Sequence, residues 1–398
     1  MRAVELCIVA GGAGIHRRPC FSAIMPKFRQ RGRRAADAVA RRGVKIGEIV
    51  VGPFAVRSAT SQLRPQPMSR SCLSVLFSLV ACGGAVASPI ADQVAFSHPQ
   101  QMVDIGGRRL HLYCNGTGSP TVVFDAPSAD AGWSWHAVQP AIARRTRACV
   151  YDRAGLGYSD PSPLPGTSGN AVADLHKLLQ TAGIAPPYVL VGTSYGGGNV
   201  QLYTYRYPEQ VRGLVLVEPE HEDEMARLDR ASQGRWSQLT AAQAAIWPQC
   251  VAAAEKGFVP GSEAFLQCTG GIQPVYGREL AAARLAVETS PGYWHAAASE
   301  QAHFDVSRAE LGAARRSYGD LPLVVLTRGV SPFAVPGKPQ SELNKATERE
   351  NMAMHKEVAA LSSRGSQRVV PGAGHIIQQD RPEAVVRAIT DVLDELRP

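Results

Sequence analysis

The stretch that most constrains this chain is Tyr188-Val189-Leu190-Val191-Gly192-Thr193-Ser194-Tyr195-Gly196-Gly197-Gly198. An apolar run of strand character ends in Gly192, and a segment with helical spacing, Val200 to Tyr207, follows. Between them stands G-x-S-x-G, the spacing of a sharp strand-to-helix turn that lifts a serine hydroxyl clear of its own backbone. Side chains at Gly192 or Gly196 would collide with neighbouring backbone in such a turn, which explains the small residues around Ser194. Alone, the pattern also fits an ordinary tight turn in a Gly-rich chain. The strand before it and the helix after it favour an activated serine.

Charge narrows the partners. The chain of 398 residues carries a net +8, which by itself suggests nucleic acid. The surplus is local, because residues 1–67 hold 13 Lys/Arg against 3 Asp/Glu and everything from Met68 onward is net −2. The part of the chain with folding patterns is therefore not basic, and charge gives no ground for a nucleic-acid partner. The hydrophobic fraction of 45% supports a sizeable core. No apolar run reaches the ~18 residues of a membrane span.

Residues 1–67 are rich in Arg, Ala and Gly, without a sustained period, and read as an upstream extension, disordered or not translated. Translation is expected to start at Met68, because residues 68–87 have the order of a signal peptide. Met68-Ser69-Arg70 is a positive start, Leu73 to Ala81 an apolar centre, and Ala85-Val86-Ala87 an A-x-A cleavage site before Ser88. Leu79-Val80-Ala81-Cys82 also resembles a bacterial lipobox, which would leave Cys82 as a lipid anchor. Both readings export the protein, to the periplasm or beyond. Export removes Cys7, Cys20 and Cys72 and leaves Cys114, Cys149, Cys250 and Cys268 in an oxidising compartment. Cys250 and Cys268 are close enough in sequence for a local bridge. Cys114 and Cys149 sit on two expected strands, as a bridge or as buried thiols. No Cys/His cluster suggests a metal.

From Gln101 the pattern becomes regular. Met102–Ile105 and Arg109–Cys114 read as a hairpin around Gly106-Gly107. Thr121–Phe124 and Ala148–Tyr151 are short buried strands, with a helix expected over Trp135–Ala143 that Pro140 kinks or delays. Asn170 to Ala182 carries apolar residues at Val172, Leu175, Leu178 and Leu179, an amphipathic helix. Further strands are expected at Leu214–Val217, Leu323–Thr327 and Arg368–Val370, with a closing helix from Pro382 to Leu396. Strands alternating with helices imply a mostly parallel α/β sheet.

With TVVF, YDRAGLGYSD, YVLVGTSYGG, VRGLVLVEP and VVPGAGH in this order, residues 101–398 resemble an α/β-hydrolase-fold serine hydrolase of esterase type. The resemblance implies a mostly parallel sheet of eight-stranded type flanked by helices. Residues 88–220 and 320–398 would form the core, and 221–319 a helical cap. It also implies a Ser…acid…His triad with Ser194 as nucleophile and His375 as general base. The acid in this fold follows one of two strands. The loop after the later one, Val330 to Gln340, has no acidic residue, so Glu218 at the end of the earlier strand is the choice. Glu342 is the main rival, and Glu220 and Asp223 are weaker ones.

An oxyanion needs two N–H donors. The resemblance places one at Tyr195, after the nucleophile, and the other in the loop Ala126-Pro127-Ser128-Ala129. Relatives often carry Gly-rich sequence there. Pro127 has no N–H, so Ser128 is the expected donor and Ala129 the fallback. His111 and His176 lie inside regular elements and read as structural, as do His295 and His303, whereas His136 lies near the oxyanion loop as a residue that could line the site. Asp152 and Arg153 end a strand and read as loop anchors. Trp236, Trp247, Trp294, Tyr276 and Tyr293 concentrate in the cap and together suggest an apolar substrate pocket. The activity implied is hydrolysis of a small-molecule carboxylic ester without metal or organic cofactor. A C–C-bond hydrolase, a peptidase or an acyltransferase would keep the same triad, and a hydrolase-fold binding protein would have lost it.

Overall fold

The computed structural model describes residues 93–397 and the backbone of two three-residue strands, Ile8–Ala10 and Ile15–Arg17, which pair antiparallel. The expected export segment at 68–87 lies outside the described residues, as does most of the expected upstream extension.

Eight strands form one sheet: β1 (Gln101–Asp104), β2 (Arg109–Asn115), β3 (Thr121–Asp125), β4 (Ala148–Tyr151), β5 (Tyr188–Thr193), β6 (Val211–Val217), β7 (Leu323–Arg328) and β8 (Gly365–Val370). Their order across the sheet is β8-β7-β6-β5-β3-β4-β2-β1. β2 runs antiparallel to both β1 and β4, and the remaining pairs are parallel. A parallel sheet is covered on both faces, so its strands are continuously apolar. β3, β4, β5 and β7 are buried at every position.

Alternation assigns the side chains to two cores. Val122, Phe124, Val189, Val191, Val215, Val217 and Leu326 meet Trp135, Ile142 and the closing helix α13 on one face. Val123, Leu190, Leu214, Leu216 and Val325 meet α2 and α3 on the other. Here α1 is Gln139–Ala143, α2 Ser168–Thr181, α3 Tyr195–Arg206 and α13 Pro382–Glu395. The helix expected over Trp135–Ala143 is split: a 3-10 turn covers Gly132–Trp135, and α1 begins only at Gln139, with Pro140 in its first turn where its missing N–H costs nothing. On β6 only glycine fits at position 213, because a Cβ there would stand 2.4 Å from Val392 Cγ1 of α13.

Between β6 and β7 lie α4 (Glu224–Ala231), α5 (Arg235–Ala244), α6 (Trp247–Glu255), α7 (Glu263–Thr269), α8 (Gly277–Glu288), α9 (Pro291–Ala302) and α10 (Phe304–Ala314). After β7 come α11 (Glu342–Ala359), then β8, then the short α12 (Ile377–Asp380). No helix among the described residues is long and apolar enough to cross a membrane.

All four described cysteines are bonded, Cys114 to Cys149 and Cys250 to Cys268. The first pair follows from register, since these residues face each other directly across β2 and β4. The second ties α6 to α7. Loop-closure entropy gives a bridge spanning 35 residues about 4 kcal/mol and one spanning 18 about 3 kcal/mol. Urea unfolding of Cys114→Ala/Cys149→Ala and of Cys250→Ala/Cys268→Ala should therefore show losses of roughly those sizes, with the strand bridge costing slightly more.

Candidate active site

Ser194 sits between β5 and α3 with φ +53° and ψ −121°. Its N–H donates to Val217 O at 3.1 Å, and its carbonyl accepts from Gly198 N at 3.1 Å and Glu220 N at 3.2 Å. The turn closes so tightly that a Cβ at Gly192 would stand 2.2 Å from Gly196 O, and one at Gly196 2.4 Å from Ala126 O. Both glycines are therefore steric requirements, as the sequence implied. Among the described residues four non-glycines have positive φ, and three of them, Ala129, Ser194 and Glu218, belong to this site. Such strain clusters where geometry serves function.

Glu218 follows directly on β6 and is almost fully buried at 2% exposure. Its Oε2 lies 3.3 Å from His375 Nδ1. An ionised carboxylate only accepts, so this contact fixes Nδ1 as the protonated nitrogen. His375 hangs from the loop after β8. Ala373 O accepts from Gly329 N and Val330 N there, and Gly374 N donates to Asp380 Oδ2 at 2.8 Å. Ser194, Glu218 and His375 line one cavity of about 590 Å³. The Ser194 hydroxyl and His375 Nε2 have no hydrogen-bond partner among the described residues. Glu342, the rival acid, is exposed on α11 and pairs with Lys345. Asp223 stands at the start of α4, and Glu220 lines the cavity without bonding His375.

Two residues that sequence reasoning passed over complete the Glu218 environment. Arg328, at the end of β7, gives its backbone N–H to Glu218 Oε1 at 2.7 Å and a guanidinium N–H to Oε2. Its other guanidinium edge binds Glu348 with two contacts of 3.1 Å. His355 on α11 reaches Thr327 Oγ1 at 2.9 Å and Pro219 O at 3.2 Å, with Nδ1 3.7 Å from Glu218 Oε1. Burial alone would raise the Glu218 pKa, but the Arg328 charge and the His375 hydrogen bond more than offset it and hold the carboxyl well below its usual value. Arg328-Gly329 was visible as a strand end, but nothing in sequence tied it to a glutamate 110 positions earlier.

Tyr195 is the first residue of α3, where a backbone N–H has no intrahelical acceptor. Ser128 lies in the loop after β3. Its N–H makes no hydrogen bond among the described residues, and its hydroxyl lies 3.2 Å from Glu300 Oε2 and 3.1 Å from Gln301 Nε2. Gln301 in turn lines the Ser194 cavity. The fallback donor, Ala129, instead gives its N–H to Glu300 Oε2 at 2.8 Å. Arg153 holds this loop. It pairs with Asp125 and Glu300, each at 2.6 Å, and donates to the Ala126 and Pro127 carbonyls at 2.7 and 2.8 Å. Asp152 accepts from Gly132 N, Tyr158 N and His111. Both residues are the loop anchors expected.

The aromatic expectation needs correction. Of the five cap aromatics only Trp236 lines the cavity. Trp247, Trp294 and Tyr293 pack on one another, and Tyr276 lies in the core beneath α8. The cavity wall carries Glu220, Glu224, Gln301, Asp305 and Arg308, but Pro219, Met225, Trp236, Leu239 and Phe304 leave more apolar than polar surface on it. Periodicity shows that an aromatic is buried, not which surface it is buried against. His136 also stays outside the cavity; it bonds Trp133 O and stacks near Tyr276. His221, Glu222 and Asp223 converge closely enough to ligate a metal, but Arg315 occupies that place, bonding both His221 and Glu222.

Residues 120–298 match the family model described as alpha/beta hydrolase fold. The chain has the α/β-hydrolase fold. It is 27% identical to the 2-hydroxy-6-oxo-2,4-heptadienoate hydrolase of Pseudomonas putida over 202 residues, which are 50% of this chain and 66% of that protein. It is 31% identical to the 2-hydroxymuconate semialdehyde hydrolase of a Pseudomonas species over 127 residues, 30% of this chain and 45% of that one. Across eight curated relatives the matched share of the relative's length runs from 15% to 66%. Among solved structures, the epoxide hydrolase CorEH superposes with a TM-score of 0.52 at 16% identity, covering 75% of this chain and 99% of its own. Cfl2 from Burkholderia cenocepacia gives 0.52 at 16%, covering 73% and 94%.

His355 supplies a pH test of the buried cluster. Burial, partly offset by Glu218, brings its pKa down from 6.5 to about 4. The unfolded chain then binds one proton more than the folded chain between these values. Its contribution to stability is complete above about pH 6.5 and is lost as pH falls towards about 4, at up to about 1.4 kcal/mol per pH unit. Urea unfolding across this window should show a shallower pH slope for His355→Gln than for the native chain.

Proposed function

We propose that this chain is an exported serine hydrolase that cleaves carboxylic esters through Ser194, His375 and Glu218. The observation that carries this reading is the convergence of all three on one cavity, with the serine on a strained, glycine-flanked turn and Glu218 Oε2 3.3 Å from His375 Nδ1. Ser194 Oγ attacks the acyl carbonyl while His375 Nε2 takes its proton. Glu218 stabilises the resulting imidazolium, to which its ionised carboxylate is already adapted. The N–H groups of Tyr195 and Ser128 receive the oxyanion. His375 returns the proton to the leaving alcohol, and water then releases the acid from Ser194. No step calls on a metal or organic cofactor. The core is taken as 88–220 and 320–398, with 221–319 as the cap. Export rests on the order of segments over 68–87, with Cys82 as the lipid-anchor alternative, and two disulfides accord with an oxidising compartment.

The likeness to the heptadienoate hydrolase favours a second reading, hydrolysis of a C–C bond beside a ketone by the same three residues, since the compound in that protein's name contains no ester. Turnover of short-chain p-nitrophenyl esters by protein starting at Ser88 separates the two. In the ester reading Ser194→Ala loses about 10⁴-fold or more in kcat and Glu218→Gln about 10²–10⁴-fold, while Glu342→Gln stays within about twofold. A native protein that neither turns over these esters nor takes up a fluorophosphonate at Ser194 would refute the serine-hydrolase reading.

A further inference from the structure

Besides Glu218, the wall of the Ser194 cavity carries two half-buried carboxyl groups, Glu220 and Glu224. Glu220 follows Pro219, with its N–H on Ser194 O, and Glu224 opens α4. The other charges of the wall are matched within the protein. Glu218 pairs with Arg328, which also binds Glu348. Arg308 pairs with Asp305 at the exposed rim. Among the described residues neither the Glu220 nor the Glu224 carboxylate receives a hydrogen bond or lies in an ion pair; Arg308 is only within longer electrostatic reach of both.

A second, independent unmatched group lies in the same wall. Asn351 of α11 is only 4% exposed, lines the cavity, and its Nδ2 has no hydrogen-bond partner. A buried amide left without a partner, like a desolvated carboxylate, is costly unless something else satisfies it. Two carboxyl groups and one amide nitrogen in the wall beside Ser194 are thus unmatched within the protein.

We infer that this cavity selects substrates carrying a cationic nitrogen, which Glu220 and Glu224 receive. The inference rests on the reading of Ser194 as nucleophile and narrows its substrates to esters of amino-bearing acids or amino-bearing alcohols. The electrostatics agree. Burial raises the pKa of both carboxyls, and the Glu224 charge raises that of Glu220 further, a cost that a cation beside them would relieve. The groups that face the pair, Arg308 and Asp305 on α10, Glu300 on α9, and Arg328, Glu218 and His375 at the triad, leave no spare positive charge to serve instead.

Two matched ester pairs test this. One is p-nitrophenyl ε-aminocaproate against p-nitrophenyl heptanoate, where an ammonium replaces a methyl group. The other is butyrylthiocholine against its tert-butyl carbon isostere. The charged member of at least one pair should show a kcat/KM about tenfold or more above the neutral one, and the ratio should fall to about one in Glu220→Gln/Glu224→Gln. A ratio at or below one in both pairs, or a preference that survives in the variant, overturns the inference. Calorimetric titration of Ser194→Ala with n-hexylammonium and with hexanol decides it without turnover: the ammonium should bind about tenfold tighter or better. Equal binding overturns it. If the double variant does not fold, the native ratios and this titration still decide. An inert native protein that prefers the ammonium sinks the catalytic reading alone, whereas an active one with ratios below one sinks only the present inference.

Discussion

The Glu218 carboxylate is the charge on which the rest of the site depends. At 2% exposure it would be untenable unpaired, because a buried charge without partners costs several kcal/mol. Its partners come from three different parts of the chain. Arg328 is delivered by the end of β7, His355 by α11, and His375 by the loop after β8. The parallel sheet brings these strand ends to one edge, and the buried carboxylate then fixes how they meet. Arg328 contributes its backbone N–H as well as its side chain, so adjacent strand ends are clamped as the acid is clamped. One carboxylate therefore anchors sheet geometry and histidine orientation together.

A second buried network has the same logic on the other side of the nucleophile. Arg153 ends β4, and its guanidinium joins Asp125, Glu300 and two carbonyls of the loop after β3. Glu300 belongs to α9, so the loop that carries Ser128 is held between the sheet and the helices inserted after β6. Pro127 has given up its N–H at this point, and the positive φ of Ala129 turns the chain back into reach of Glu300. Gly196 must lack a side chain for the same reason, since Ala126 O lies where its Cβ would be. The turn at Ser194 and the loop after β3 thus approach each other too closely for either to shift without the other.

The inserted helices set charged groups into a cavity whose surface is more apolar than polar, and few of their aromatics reach it. Trp247, Trp294 and Tyr293 spend their apolar area on one another, next to the Cys250–Cys268 bridge. The faces left toward Ser194 come from the chain just after β6 and from α4, α5 and α10, where carboxyl, amide and guanidinium groups alternate with Trp236 and Phe304.

The sequence by itself determined the sheet and the serine turn. Both are local: short continuous apolar runs, glycines at fixed offsets and the strand–turn–helix order are written in neighbouring residues. Elimination along the later loop is what puts Glu218 forward as the acid, because a stretch without carboxylates can be read directly. The preference for Ser128 over Pro127 as a proposed donor rests on sequence too, since the absent N–H is a property of one residue. Only the tertiary structure decided which charges neutralise one another. The pairs of Glu218 with Arg328 and of Arg153 with Glu300 join residues 110 and 147 positions apart, and no periodicity encodes such a separation. It likewise decided that Cys114 faces Cys149, through the register of β2 on β4. The lining of the cavity belongs to the same class. Whether a buried aromatic or carboxylate faces substrate or core depends on how helices from distant parts of the chain pack, and that is a property of the assembled fold.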